Sequence, residues 1–466
     1  MADFFGRSKE LEALEKAYRS PNSEFIPIYG RRRVGKSELV LHFTQNKPSV
    51  YFVGYKSPVH IQIESFLETA SKNLNLPVLA RVRVTNWKEA FEEITNQYQK
   101  KDKKLIIALD EFQWIVESSP ELPSILQSFI DGPWKKNKNI FLILCGSYMG
   151  FMEREVLGSK SPLFGRRTAQ IFLKPFPFWE ARAFHPGWSL ADCARLYMIC
   201  GGIPYYLRFF SDKKTLSEGF ISQFFNEYSA LFREPEFLLR EELRELVQYQ
   251  GILLALARGR ANPSEIASIT GIDHRKLHYY LQNLIDLGYV KKSNPLVVKK
   301  GATSRDVQYI LDDPLLCFWF HFIAPSLSTI STIGPREAYL QLIKPYLEAY
   351  LGYRFEEMCR QALAKWYGEQ GLATPFEIGS YWDKKTQIDV VGYRQNEGID
   401  LGECKWGKTI SPAKAYQELK EKIETYPNPK GLTLRKFLFI PQKPSDKSKT
   451  DDCQILTLED MYRIKK

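Results

Sequence analysis

The sequence predicts a multidomain α/β protein, and three observations carry that prediction. Residues 26–37, IPIYGRRRVGKS, run from an apolar strand through a glycine-bounded loop toward a helix. Residues 387–392 and 398–406, QIDVVG and GIDLGECKW, are short strand patterns with carboxylates and a lysine set in alternation. The 466 residues hold 65 Lys and Arg against 54 Asp and Glu, a net charge of +11 that favours an acidic partner. A chain of this length exceeds one core and suits about three domains. Its hydrophobic fraction of 44% and charged fraction of 26% are those of a globular protein, and no run approaches the about 18 apolar residues of a membrane span. The seven cysteines lack C-x-x-C spacing, so neither a zinc site nor a disulfide framework is indicated. The N-terminus reads as an amphipathic helix rather than a signal segment, and the expected location is cytoplasmic.

The first element is the strand 26–29, which delivers Gly30-Arg31-Arg32-Arg33-Val34-Gly35-Lys36-Ser37, a match to G-x-x-x-x-G-K-[ST] at every fixed position. Gly30 and Gly35 can adopt backbone angles closed to other residues, which lets successive N–H groups turn inward on a phosphate. Lys36 supplies a mobile positive charge and Ser37 a hydroxyl for Mg²⁺. The segment 38–45, opening with Glu38, has helical apolar spacing and would aim its N-terminus at the phosphates. ATP with Mg²⁺ is the expected ligand pair. A strand at 51–55 and helices at 60–74 and 87–99 follow. The apolar strand 105–109 then ends in Asp110-Glu111. In a parallel sheet this presents two acids at the end nearest the phosphates: Asp110 to order Mg²⁺, Glu111 to polarise the attacking water.

The strand 140–144 ends in Cys145-Gly146-Ser147, where Ser147 is either a γ-phosphate sensor or a helix cap. Arg166 and Arg167 follow Gly165; an arginine there can neutralise developing charge or lie on the surface. A helix at 190–199 ends in Gly201-Gly202, before Ile203-Pro204. Taken together, Phe5-Gly6-Arg7, YGRRRVGKS, LDEFQWI, PLFGRRT and GGIPYYL resemble the archaeal-type ATPases of the STAND branch of AAA-like P-loop proteins. The resemblance covers roughly the first half of the chain. It implies a nucleotide-gated switch, with Pro204 near the adenine and Arg166 sensing the γ-phosphate in cis or in trans.

Residues 244–295 change character. A helix at 246–256, a short one opened by Pro263, a break at Gly271 and a longer helix at 273–287 make a helix-turn-helix, and 288–292 begins a β-wing returning near 308–311. This resembles a winged helix. Arg275, Lys276 and His278 lie where a DNA reader places its contacts, although such modules also serve as lids and protein contacts. Residues 315–326, LLCFWFHFIAPS, read as a core helix too short to span a membrane; 328–337 read as a loop, and 339–350 as a helix.

A helix from Gly352 carries Glu356. Downstream, strand alternation sets Asp389 opposite Ile388 and Val390, and puts Glu403 and Lys405 on one face. Carboxylates on adjacent strands beside a lysine suit a divalent cation. These positions resemble the PD-(D/E)XK nuclease superfamily: Asp389 matches its metal-binding aspartate, Glu403 and Lys405 its E-x-K, and Glu356 its helix carboxylate. The resemblance implies that Asp389 and Glu403 bind Mg²⁺ and that Lys405 orients water or neutralises the scissile phosphate. A helix at 412–425 and a strand at 436–440 complete the expected sheet.

The expected domains are a P-loop ATPase core at 1–180, a helical lid at 181–243, a winged helix at 244–312, and a PD-(D/E)XK-like domain with helical linker at 313–466. The expected function is ATP-dependent control of a DNA-binding or DNA-cleaving module, with DNA favoured over RNA. A signalling switch or transcription regulator whose nuclease-like domain does not cleave is the alternative. A protein partner or homo-oligomer is compatible with either.

Overall fold

The computed structural model describes residues 4–98, 103–213, 215–259, 261–297, 307–395, 397–407, 410–443 and 452–463. The sequence is rich in lysine at 100–104 and 291–300, and residues 100–102 and 298–300 of these stretches lie outside the described residues. The chain divides into two compact units, Met1–Pro175 and Phe176–Lys466.

In the first unit, β1 (Glu24–Tyr29), β2 (Ser49–Val53), β3 (Leu105–Asp110), β4 (Ile140–Gly146) and β5 (Ile171–Phe172) form a parallel sheet in the order β2-β3-β4-β1-β5. The central strands read as continuous apolar runs because both faces are covered. Alternate residues divide between two cores: Phe25, Ile107, Leu109 and Leu142 face one side, and Ile26, Ile28, Ile106 and Ile143 the other. The first core is anchored by the packed rings of Phe66, Trp87, Phe91 and Trp134. Helix α1 (Ser8–Tyr18) and helix α2 (Lys36–Thr44), which leaves the glycine-bounded loop, are in contact, and Leu14 and Phe43 share the second core. Within the basic tract 100–104, Lys104 is buried and donates to the Ala17 carbonyl at 3.0 Å and Ser20 Oγ at 2.9 Å, a structural role.

The second unit begins with helical segments and continues through α3 (Leu246–Ala257), α4 (Pro263–Thr270) and α5 (His274–Asp286). Gly271 closes α4 in the left-handed region at φ 69°, and the Asp273 carboxylate caps α5 by accepting from the Arg275 N–H at 2.9 Å. An antiparallel pair follows, β6 (Val290–Ser293) with β7 (Gln308–Leu311). The next helical stretch runs over Pro314–Ile333, longer than the sequence suggested. By length and mean hydropathy of 1.3 it could cross a membrane. Its Leu316, Phe318, Trp319 and Ile323 are nonetheless buried in the unit, the packing of a core helix.

Two expectations are corrected here. Residues 328–337 contain the helices Leu327–Ile333 and Pro335–Ala338, because Ile330 and Ala338 supply buried anchors. Gly352 does not start a helix: α6 runs unbroken over Lys344–Glu369. An interior glycine costs about 1 kcal/mol, which the burial of Leu347, Leu351 and Phe355 on the same helix outweighs.

The second unit also holds a mixed sheet of β8 (Phe376–Trp382), β9 (Gln387–Arg394), β10 (Gly398–Cys404), β11 (Thr433–Ile440) and β12 (Cys453–Thr457), in the order β12-β11-β10-β9-β8. The first three strands meander antiparallel, and the last three run parallel. Helix α7 (Pro412–Thr425) makes the crossover from β10 to β11, and α6 also packs on the sheet.

Burial of His185 in this unit draws its pKa down to about 4. The unfolded imidazole gains its proton near its ordinary value of about 6.5, so the stability contributed by the neutral ring is present above that pH and is lost as pH falls toward 4. Relative to His185→Asn, the wild-type chain should lose on the order of 2 kcal/mol between pH 7 and pH 4.5, measured by urea unfolding. Parallel pH profiles of the two proteins would refute this assignment.

Candidate functional site

The phosphate loop is shaped by its glycines. Gly30 leaves β1 at φ 150°, and a Cβ there would stand 2.3 Å from the Leu173 carbonyl oxygen. Gly35 caps α2 in the left-handed region at φ 90°, and Arg33 is held there too, at φ 71°. Val34 is buried, and its carbonyl accepts from Arg7 Nη2 at 3.1 Å, so the segment before α1 braces the loop. Arg31, Arg32 and Arg33 are partly buried along it, while Glu38 is exposed in the first turn of α2.

Lys36 is 6% exposed, and its ammonium donates to the carbonyls of Gly30 at 3.0 Å and Arg31 at 2.9 Å. Burial draws its pKa down, against the pull of Cys145, Glu111 and Asp110. Ser37 Oγ donates to Asp110 Oδ2 at 2.6 Å. A hydroxyl and a carboxylate this close fit a shared Mg²⁺, a hard ion that takes oxygen ligands at about 2.0–2.1 Å. Two partners were not anticipated. Tyr51 also donates to Asp110 Oδ2, at 2.5 Å, and burial together with that carboxylate raises its phenol pKa well above the ordinary value. Glu111 is left-handed at φ 48° and its carboxylate accepts from Gln113 Nε2 and, at 3.0 Å, from Ser147 Oγ. Strand alternation on β2 could have found Tyr51; the Gln113 contact depends on the turn after β3.

Arg166 takes its partners outside the phosphate loop. Its guanidinium makes a forked pair with Asp131, at 3.0 and 2.7 Å, and donates to the Pro162 and Phe164 carbonyls. Arg167 is the arginine whose charge reaches Tyr29 at the end of β1: burial and Glu153 raise that phenol's pKa and Arg167 opposes them. Pro204 belongs to the second unit, buried at the start of the helix Pro204–Arg208. Gly202 beside it is required by packing, since a Cβ would fall 1.7 Å from the Phe176 carbonyl oxygen.

In the second unit, Asp389, Glu403 and Lys405 of the sheet meet Glu356 of α6. Asp389 Oδ2 accepts from the Cys404 N–H at 2.9 Å. Glu403, 2% exposed, receives Lys405 at 2.9 Å and, unforeseen, Lys422 of α7 at 2.6 Å. Lys405 also pairs with Glu418 at 2.7 Å. Burial, then Asp389 and Glu403, push the Glu356 carboxyl up to about 8, with Arg360 opposing. Burial and Glu403 push Asp389 up to about 6. Burial works against the Lys405 ammonium, but its bonds to Glu418 and Glu403 hold its pKa above the ordinary range. Among the described residues no three His, Cys, Asp or Glu groups form a ready metal cage. The mutual repulsion of the three carboxylates is nevertheless what a divalent cation would relieve, so the residues fit one. On α5, Arg275, Lys276, His278 and Tyr279 are exposed.

A parallel sheet ending in this loop, with Asp110 against Ser37, defines a P-loop ATPase domain. Residues 4–210 match the family described as an ATPase domain predominantly from Archaea, and residues 319–421 match one described as Archaea bacterial proteins of unknown function. The chain is 30% identical over 463 residues to the uncharacterized protein MJECL04 of Methanocaldococcus jannaschii, spanning 98% of this chain and 99% of that one, and it belongs to the family of that protein. A 44-residue stretch, 9% of this chain and 75% of the other, is 46% identical to the uncharacterized ATP-binding protein MJ0423 of the same organism. Among solved structures, the Walker-type ATPase PABY2304 of Pyrococcus abyssi shares the fold, with a TM-score of 0.52 at 19% identity over 68% of this chain and 96% of that one.

Lys36→Ala should weaken ATP binding at least about tenfold, whereas Glu111→Gln should leave binding within about twofold and slow turnover about 100-fold or more. Nucleotide titration and phosphate release separate the two effects. Unchanged rates in both variants would remove these residues from the reaction.

Proposed function

We propose that this ATPase uses nucleotide binding and hydrolysis to control a nucleic-acid-processing module in its second unit. The observation that carries the reading is the convergence of Asp389, Glu403 and Lys405 of the mixed sheet with Glu356 of α6, in one chain with a phosphate loop. In the ATPase half, Lys36 and the loop N–H groups bind the β- and γ-phosphates of ATP, Ser37 and Asp110 hold Mg²⁺, and Glu111, once turned from Gln113 and Ser147, orients the attacking water. Arg166 would serve the γ-phosphate by leaving Asp131. In the second unit, Asp389, Glu403 and Glu356 would hold a divalent cation, which supplies an activated water when bound. Lys405 would neutralise the scissile phosphodiester or orient an attacking water. The α3–α5 segment with its β6–β7 hairpin is read as a winged helix whose Arg275, Lys276 and His278 meet DNA rather than RNA.

A second reading makes the module a non-cleaving switch or transcription regulator. The double neutralisation of Glu403 by Lys405 and Lys422 favours it, since a metal must compete with both ammonium groups. The test is cleavage of DNA and RNA with Mg²⁺ or Mn²⁺, with and without ATP. Cleavage that disappears in Asp389→Ala and in Lys405→Ala is the expected result; none across metals, nucleotides and substrates sinks the nuclease reading. Independently, Arg275→Ala should weaken duplex binding severalfold and reduce the salt slope of the affinity by about 1.

A further inference from the structure

The β6–β7 hairpin is tied to the carboxylate centre by a continuous chain of charged groups within the second unit. Lys291 on β6 sits 2.7 Å from Asp312 Oδ1 and 2.8 Å from Glu357 Oε2. The same Glu357 oxygen accepts from Arg360 Nε and Nη2, each at 3.2 Å. Arg360 Nη1 then donates to the backbone carbonyl of Asp389 at 2.7 Å and lies 3.7 Å from Glu356 Oε2. One guanidinium therefore touches both the strand that bears Asp389 and the side chain of Glu356, and its orientation is set by a glutamate that the hairpin lysine holds.

The hairpin is seated at two further points. From α6, Arg354 donates to the carbonyls of Leu311 at 3.3 Å and Asp312 at 3.4 Å, at the end of β7. Beyond β6, the Leu296 N–H donates to the Ser380 carbonyl at 2.8 Å, beside the irregular pairing of the edge strand β8, and Tyr426 donates to the Leu296 carbonyl at 3.1 Å. The Leu296 and Val297 side chains pack on the core of Ile388, Val391 and Leu401 beneath the same sheet.

We infer that Lys291 and Arg360 are positioning residues through which the β6–β7 hairpin fixes the spacing of Glu356 and Asp389. This rests on the reading of those carboxylates as a cation site. A guanidinium whose planar donors are shared among several partners transmits displacement, because those donors lose their partners together when it moves. A shift of the hairpin therefore releases Glu357, frees Arg360 to rotate, and lets the two carboxylates separate.

Mn²⁺ is the probe, with its free-ion paramagnetic signal as the readout, in the full chain carrying Asp110→Asn so that the phosphate loop does not contribute. In this background Asp389→Ala should abolish tight Mn²⁺ binding, and Lys291→Met and Arg360→Met should each weaken it at least fivefold. The double variant should be no weaker than the weaker single, and Lys291→Arg should recover most of the affinity. Thermal unfolding identifies any variant that fails to fold, in which case Glu357→Gln replaces it with the same expectation. Unchanged Mn²⁺ affinity in folded Lys291→Met, alongside its loss in Asp389→Ala, overturns the relay and leaves the cation site standing. Unchanged affinity in Asp389→Ala overturns the site itself and the relay with it.

Discussion

The hydrogen bond from Ser37 to Asp110 joins residues 73 apart in sequence, and the architecture of the first unit exists to make it. Ser37 is placed by β1 and its loop, Asp110 by β3, and β4 lies between the two strands. The register of both parallel pairings must hold for the hydroxyl and the carboxylate to meet, because a one-residue slip turns every side chain to the other face. Two buried cores secure that register by taking alternate residues of the same strands. Packing energy spread over the sheet thus becomes precision at a single pair of oxygens.

Both places contain buried charge, and each balances it with internal partners. Lys36 donates to carbonyls of its own loop, and Glu403 receives two ammonium groups. Burying a lone ammonium or carboxylate costs several kcal/mol, so neither group can be left unpaired. On the proposed reading, binding at either place would exchange these partners for those of a ligand.

The phosphate loop was legible because its requirements are backbone requirements: Gly30 and Gly35 occupy positions where a Cβ collides or the angle is left-handed, and sequence shows glycines directly. The acid pair after β3 was legible from strand polarity, and Asp389, Glu403 and Lys405 from the period of two. Contacts made by side chains across elements were not. Nothing in the spacing of Arg166 announces Asp131, and Lys422 reaches Glu403 only because α7 crosses back over the sheet. The continuity of α6 through Gly352 was hidden for a different reason. Local propensity marks the glycine as a break, and burial of the flanking Leu351 and Phe355 overrides it.

The contrast between Arg166 and Arg360 shows what a motif can and cannot assign. Both are arginines near an expected site, and both make forked bonds to a carboxylate. Arg166 spends its donors on Asp131 and on carbonyls of its own turn, so it stabilises the local chain. Arg360, absent from any motif, divides its donors between Glu357 and the Asp389 backbone and so couples elements that the sequence keeps apart. A guanidinium carries five donors in a rigid plane, and its role is decided by which elements those donors span. For this chain the spanning arginine joins the helix that bears Glu356 to the strand that bears Asp389, and through Glu357 and Lys291 it reaches the hairpin.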